Sequence, residues 1–266
     1  MEPIKNKGRA RRTARMILLV LLATAAAGLF SGASAEETKE ETKGISVSTD
    51  FTVASKYVWR GLVLTDDPVL QPSLTLDYKS LNLNVWGNTD LTDANGTPGE
   101  INELDYTLSY SFAVKNVNLT LGVIQYTFPH TDYEPTTEIY GSAGLDMLLS
   151  PTVSIYYDVD EVNGLYGTLG IGHSFSLGEV YKGITPSLDL SGSIGYGSSN
   201  YNEGYFGVHT SGLVDLLLTA TLSVPIDEHL SVGPFVSFSQ VLDSDLKDAV
   251  EKDNATFFGA TLSLAF

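Results

Sequence analysis

From residue 45 to residue 266 apolar and polar side chains alternate with a period of two, and no stretch sustains a helical period. In ISVSTDFTV (45–53) Ile45, Val47, Phe51 and Val53 share one parity. In LDYTLSYSF (104–112) Leu104, Tyr106, Leu108, Tyr110 and Phe112 are set against Asp105, Thr107, Ser109 and Ser111. Successive side chains of a strand point to opposite faces, so each such segment has one apolar and one polar face. The same reading places strands at 45–53, 70–78, 81–87, 104–112, 117–128, 138–147, 152–159, 165–175, 184–196, 213–224, 230–238 and 257–266, about twelve in all. In VNLTLGVIQYTF (117–128) the alternation holds to Val123 and then changes parity, as a β-bulge would make it do.

The connections alternate too. Short turns at 79–80, 115–116, 149–151, 177–183 and 225–229 follow every second strand. Between them lie longer acidic or Gly/Asn-rich excursions: the Asp-rich stretch around 65–67, then 88–100, 129–136, 158–163, 197–207 and 243–254. Short turns at one end and long loops at the other are the pattern of bacterial outer-membrane barrels. A β-sandwich is the competing architecture, and the polar parity separates the two. A sandwich turns Lys and Glu outward, whereas these strands carry Ser, Thr, Asn, Gly and a few Asp and are nearly devoid of lysine. Tyr78, Tyr110, Phe112, Tyr157, Phe175, Phe238 and Phe266 sit near strand ends on the apolar parity, where interfacial aromatics belong. The expected fold is all-β: a closed antiparallel transmembrane β-barrel of about twelve strands over residues 45–266.

Composition and charge narrow the setting. Residues 1–35 hold six Lys/Arg, the apolar run MILLVLLATAAAGLF and then SGASA, which reads as a signal peptide cleaved after Ala35. The alternative, a membrane anchor, needs a longer apolar run. Residues 36–44 form a polar N-terminal stub. There is no cysteine, and so neither disulfide nor thiolate chemistry. From Glu36 onward nine Lys/Arg face thirty-one Asp/Glu, a balance that excludes nucleic-acid binding, which requires cations against phosphate.

The end of the chain, FFGATLSLAF (257–266), resembles the β-signal that outer-membrane proteins present to the barrel-assembly machinery. Gly259, Leu262 and Leu264 fit its glycine and spaced hydrophobics, Phe266 is its aromatic terminus, and Phe257 departs from it where a polar residue is usual. The chain from residue 45 onward also resembles the TorF-type porins of proteobacteria. That resemblance is carried by STDFTVASKYVWRGLVLTDDPVLQPSLTLDY (48–78), LNLNVWGNTD (81–90), GVIQYTFP (122–129) and LSPTVSIYYDVDEVNGLYGTLGIGHSFSL (149–177). It implies an outer-membrane barrel of Gram-negative bacteria with a channel role in transport, embedded in outer-membrane lipid, and supplies neither substrate nor catalytic residues.

Candidate chemistry is sparse. No catalytic residue, cofactor or metal site is expected. His173 and Ser174 are adjacent and point to opposite faces, so they cannot form the same-face His/Ser pair of an outer-membrane lipid hydrolase. His209 and Ser211 have that spacing but lie in a loop, and a third orienting group would be needed. DVDEVNG (158–164) departs from a calcium loop at Val162 and at Leu169. Weak divalent-cation binding by the acidic loops stands beside a simple solvated rim.

The lumen is more informative. With the apolar parity toward lipid, Asp50, Asp77, Asp105, Glu138, Asp146, Asp189 and Asp215 face inward. Lys56 and Arg60 extend the inward parity of the first strand as their counter-charges. A pore lined by carboxylates prefers cations, although carboxylates that pair with Arg60 would not meet a solute. Trp86, Tyr156, Tyr166 and Phe235 also fall inward. Barrels of about eight strands are filled by side chains and those of about sixteen are open, so these aromatics are candidates to narrow or shut the passage. The function expected is a porin-like, non-enzymatic channel for small hydrophilic solutes, preferring cations or neutral molecules. Two alternatives remain: a structural or adhesion barrel with a plugged lumen and acidic binding loops, and a lipid hydrolase.

Overall fold

The computed structural model describes residues 44–181 and 183–266. The signal peptide, its cleavage point and all of the polar stub except Gly44 lie outside the described residues. In chain order the elements are β1 (Ser46–Ala54), β2 (Tyr57–Trp59), β3 (Leu62–Thr65), β4 (Val69–Tyr78), β5 (Leu81–Asp90), β6 (Ile101–Val114), β7 (Val117–Thr127) and β8 (Thr136–Leu145). There follow β9 (Thr152–Asp158), β10 (Leu165–Ser176), β11 (Ser187–Gly197), α1 (Ser199–Phe206), β12 (Gly212–Pro225), β13 (Leu230–Val241), α2 (Ser244–Ala249) and β14 (Asn254–Ala265).

β1 and β4 through β14 close into one antiparallel barrel of twelve strands. Each strand pairs with its neighbour in sequence, and β14 returns to β1 with Asp50 opposite Ser263 and Phe51 opposite Leu262. The seam continues to Phe266, whose N–H reaches Val47 O at 2.9 Å while Val47 N–H reaches Phe266 O at 3.1 Å. Closure leaves no unpaired seam, which hydrocarbon would not tolerate. The outward parity is apolar and exposed throughout, with Phe51, Val53, Leu83, Leu121, Leu169, Ile171, Leu218 and Leu262 among its members. No described helix is long and apolar enough to cross a membrane.

The short turns gather at one end. Lys79–Ser80 and Lys115–Asn116 reverse the chain in two residues, with Lys79 at φ +55° and Lys115 at φ +57°. In the turn after β12, Asp227 accepts backbone hydrogen bonds from His229 at 2.8 Å and Leu230 at 2.9 Å. Those amides hold its carboxyl below the usual carboxylate range.

The structure departs from the sequence reading at several places. β7 has no bulge: its register with β6 and with β8 runs unbroken. The change of parity after Val123 arises because Ile124 and Tyr126 are apolar residues on the inward face, where the interior is packed rather than wet. Irregularities fall instead between Asn88 and Thr89 and between Ile194 and Tyr196. Asp146 is not on a strand; β8 ends at Leu145 and Asp146 is exposed in the following turn. The loop after β1 contains its own hairpin, β2–β3, and the loops after β11 and β13 contain α1 and α2.

A lumen shut by a hairpin

β2 and β3 pair so that Trp59 faces Leu62, which leaves Arg60–Gly61 as a two-residue turn with φ +46° and +87°. Positive φ at both positions defines the tight hairpin turn that ordinarily takes Asn-Gly or Asp-Gly. An arginine there costs about 1–2 kcal/mol of backbone strain. Gly61 has a second reason to be glycine: a Cβ would lie 3.0 Å from Asp215 Cβ on β12. The hairpin therefore folds into the barrel against the wall.

Arg60 ends on Glu138 of β8, with Nη1 to Oε1 at 2.7 Å and Nη2 to Oε2 at 2.8 Å. Its side chain is 10% exposed and that of Glu138 is 1% exposed. Two parallel charge-assisted bonds are the arrangement that compensates a buried carboxylate best. Tyr126 of β7 donates to the same Oε2 at 2.8 Å. The guanidinium carbon also lies 4.3 Å from the ring centroid of Tyr166, 4.5 Å from Trp59, 4.6 Å from Tyr156 and 5.8 Å from Tyr201. Each is within reach for a cation–π contact.

Aromatic rings continue outward from that cage. Tyr140 stacks on Tyr156 at 5.4 Å, Tyr166 on Tyr201 at 5.1 Å, and Tyr205 meets both Tyr201 at 4.7 Å and Trp59 at 5.0 Å. Tyr201 and Tyr205 come from α1, which Ser198 caps by accepting from Tyr201 N–H and Gly207 ends at φ +71°. Burial pushes the Tyr205 hydroxyl up, so it remains a neutral donor. Gly164 lets the helix in: a Cβ there would stand 2.5 Å from Tyr201 N.

The rim holds the hairpin by its other end. Thr65 donates to Asp90 at 2.9 Å, and Asn95 bridges Thr65 at 3.0 Å and Asp90 at 2.7 Å. Asp66 takes both Lys56 and Lys252, tying the hairpin to the segment that follows α2.

The residues named from sequence separate into three groups. Glu138, Asp105, Asp215, Arg60, Trp86, Tyr156, Tyr166 and Phe235 converge on the long-loop half. There Tyr166 donates to Asp215 at 2.7 Å, Trp86 meets Tyr57 at 5.5 Å, and Phe235 meets Phe257 edge-on at 6.4 Å. Asp105 faces Trp86 and Tyr126 in register, and its Oδ1 is buried without a hydrogen-bond partner. Asp50, Asp77 and Asp189 lie in the short-turn half and bind neutral groups: Asp50 takes Ser73 and Ser263, Asp77 takes Asn82, and Asp189 takes Ser174, Ser187 and Ser223. Lys56 and Asp146 stand at opposite ends. Arg60 reaches the interior by the hairpin and not by extending β1, which stops at Ala54.

Of the seam residues, Leu262 and Leu264 pair with Phe51 and Thr49, and Phe266 stacks on His229 at 5.3 Å. Gly259 sits under the Phe235 ring, where a Cβ would lie 2.7 Å from Cζ. His209 binds Glu203 in an exposed loop at 2.8 Å. Asp158 is committed to Thr136 at 2.6 Å and to the amides of Asp160 and Val162 in its own loop. Among the described residues no group of three or more His, Asp or Glu is placed to hold a metal ion. The sequence reading missed the hairpin and α1, although Arg60–Gly61 between two short apolar runs and Ser198 followed by Gly207 are turn and cap signals.

Below the hairpin the inward face of β9 to β12 carries Thr152, Ser174, Asp189, Ser191, Ser193 and Thr221. The interior thus has a half lined by hydroxyls and carboxylates and an aromatic half crossed by one arginine.

This is the architecture of a closed twelve-stranded antiparallel barrel. The KdgM porin aligns with a TM-score of 0.52 at 11% identity over 82% of this chain and 99% of that chain. A structure of the KdgM porin in complex with disordered oligogalacturonate gives 0.50 at 11% identity over 83% and 99%. At such identity the likeness is one of fold. Residues 38–159 match the family model described as "Bacterial protein of unknown function (Gcw_chp)". That span runs from before β1 through β9, and so includes the hairpin and Glu138. No curated protein matches the chain by sequence.

Proposed function

We propose that the protein is a TorF-type outer-membrane channel for small hydrophilic solutes, preferring cations or neutral molecules, exported with a signal peptide cleaved after Ala35. The observation that carries this reading is the contrast between the two faces of one closed sheet. The outside is apolar, and the inside of the short-turn half carries hydroxyls and the carboxylates of Asp50, Asp77 and Asp189, which bind only neutral groups. Asp50, Asp77 and Asp189 set the preference on that side, Asp105 and Asp215 set it at the constriction, where Arg60 neutralises Glu138, and Asp146 and Lys56 act at the two mouths. Trp86, Tyr156, Tyr166 and Phe235 narrow the passage. Gly259, Leu262, Leu264 and Phe266 form the signal read by the barrel-assembly machinery.

Purified protein in planar bilayers should give single-channel currents whose reversal potential in a KCl gradient is biased to the cation. A second reading, a structural or adhesion barrel, draws on the hairpin and α1 that fill the long-loop half. Silence in bilayers, both from wild type and from a variant lacking residues 57–65, would sink the channel and favour that reading.

A further inference from the structure

We propose that Glu138, Tyr156, Tyr166 and Tyr201 form a guanidinium-binding site, occupied in the shut barrel by Arg60, for which a permeant solute bearing a guanidinium group competes. The inference rests on the channel reading for the word permeant, but the binding site stands without it.

The cage belongs to the wall. Glu138 is on β8, Tyr156 on β9, Tyr166 on β10 and Tyr201 on α1; only Trp59 travels with the hairpin. Tyr126 holds the Glu138 carboxylate from β7, at 2.8 Å, independently of the hairpin. A carboxylate only 1% exposed must be paired or hydrogen-bonded, and at Glu138 the partners are a cation and one tyrosine hydroxyl. The two parallel bonds at 2.7 and 2.8 Å, with ring faces at 4.3 and 4.6 Å, fit a flat forked cation. An alkylammonium is a point charge and cannot make that pair of bonds. Potassium has no donors at all.

Arg60 is poised to yield. It sits at φ +46° in a turn whose backbone suits glycine or asparagine, so its head group and not its backbone accounts for its place. It also has somewhere to go. Asp105 Oδ1 is buried with no hydrogen-bond partner, two residues along β6 from Glu103 and so on the same face. Exchange would put the solute on Glu138 and Arg60 on Asp105, so that two cations serve carboxylates that now share one. Among the described residues no ion pair is seen for Glu103, Asp105 or Asp215, so Arg60 would meet no competing cation there.

The test uses the full-length barrel in detergent with Arg60→Gly, which vacates the cage and suits the turn. The protein's tryptophans are Trp59 and Trp86, both at the hairpin, so indole fluorescence reports on the site. Methylguanidine should give a saturable change in R60G, with wild type requiring at least about tenfold more because Arg60 competes. Equal concentrations of urea, methylammonium or KCl should give none. Adding Glu138→Gln to R60G should weaken the response at least about tenfold through loss of the charge-assisted fork. If R60G does not fold, Arg60→Asn, which also tolerates the left-handed turn, replaces it. A folded R60G barrel that ignores methylguanidine, or that responds equally after Glu138→Gln is added, overturns the site. Bilayers separate this from the channel reading: fluorescence binding without conductance keeps the cage and rejects the channel, while conductance with neither fluorescence binding nor methylguanidine block rejects the cage alone.

Discussion

Tyr166 of β10 reaches across β11 to donate a 2.7 Å hydrogen bond to Asp215 of β12. The strand between them is crossed at Gly195, where a Cβ would stand 2.2 Å from Asp215 Oδ1 and 2.4 Å from the Tyr166 hydroxyl. One missing methyl lets two walls of the lumen join. Tyr166→Phe leaves Asp215 buried with its acceptor empty and should cost about 1–3 kcal/mol. Gly195→Ala should cost at least as much, because it drives the pair apart. Both should lower the temperature at which the folded band shifts on an unheated gel; two wild-type melting curves would refute the account.

The carboxylates of the constriction are unequal. Asp215 is held by Tyr166, whereas Asp105 has a free buried oxygen. Asp105→Asn should therefore lower the cation-to-anion permeability ratio more than Asp215→Asn. The difference should be largest well below 0.1 M salt, where the screening length exceeds roughly 10 Å. Identical reversal potentials for the two variants would remove Asp105 from the permeation path.

The strap at the rim should be salt-sensitive. Lys56 and Lys252 converge on Asp66, an exposed arrangement worth at most about 1 kcal/mol per pair. Opening events should become several-fold more frequent between low and high KCl, and Asp66→Asn should open as readily at low salt as wild type does at high salt. A salt response that survives Asp66→Asn unchanged would place the sensitivity elsewhere.

Orientation follows from loop length. Cysteines introduced at Asn95 and Asp248, in the long connections, should react with an impermeant maleimide on intact cells. A cysteine at Lys115, in a two-residue turn, should react only after lysis. The opposite pattern would invert the barrel.

Most of the wall is legible in the sequence because lipid and lumen impose opposite demands on successive residues. The strands at 81–87 and 104–112, for instance, recur with longer ends as β5 and β6. Parity stops being informative where the interior ceases to be wet. Tyr126 faces inward and is apolar because Trp59 lies 6.4 Å from it, and nothing local in VNLTLGVIQYTF announces that partner. Arg60 stands out as a counter-charge, but its pairing with Glu138 bridges 78 residues, and no periodicity encodes a contact of that range. Asp146 is misplaced for a smaller reason, since a strand end shifts by a residue or two without disturbing the alternation.

The hairpin joins the first strand of the barrel to the second, yet beyond Trp59 its arginine is satisfied by β8, β9, β10 and α1. A chain wrapping in order would carry an uncompensated guanidinium inside the growing sheet until the far wall arrived. The ion pair then forms only if the intervening strands have taken the correct register beforehand, since a slip of one residue would turn Glu138 toward lipid. Arg60 and Glu138 thereby proofread the fold, rewarding a barrel that has closed around its own contents and penalising one that has closed empty.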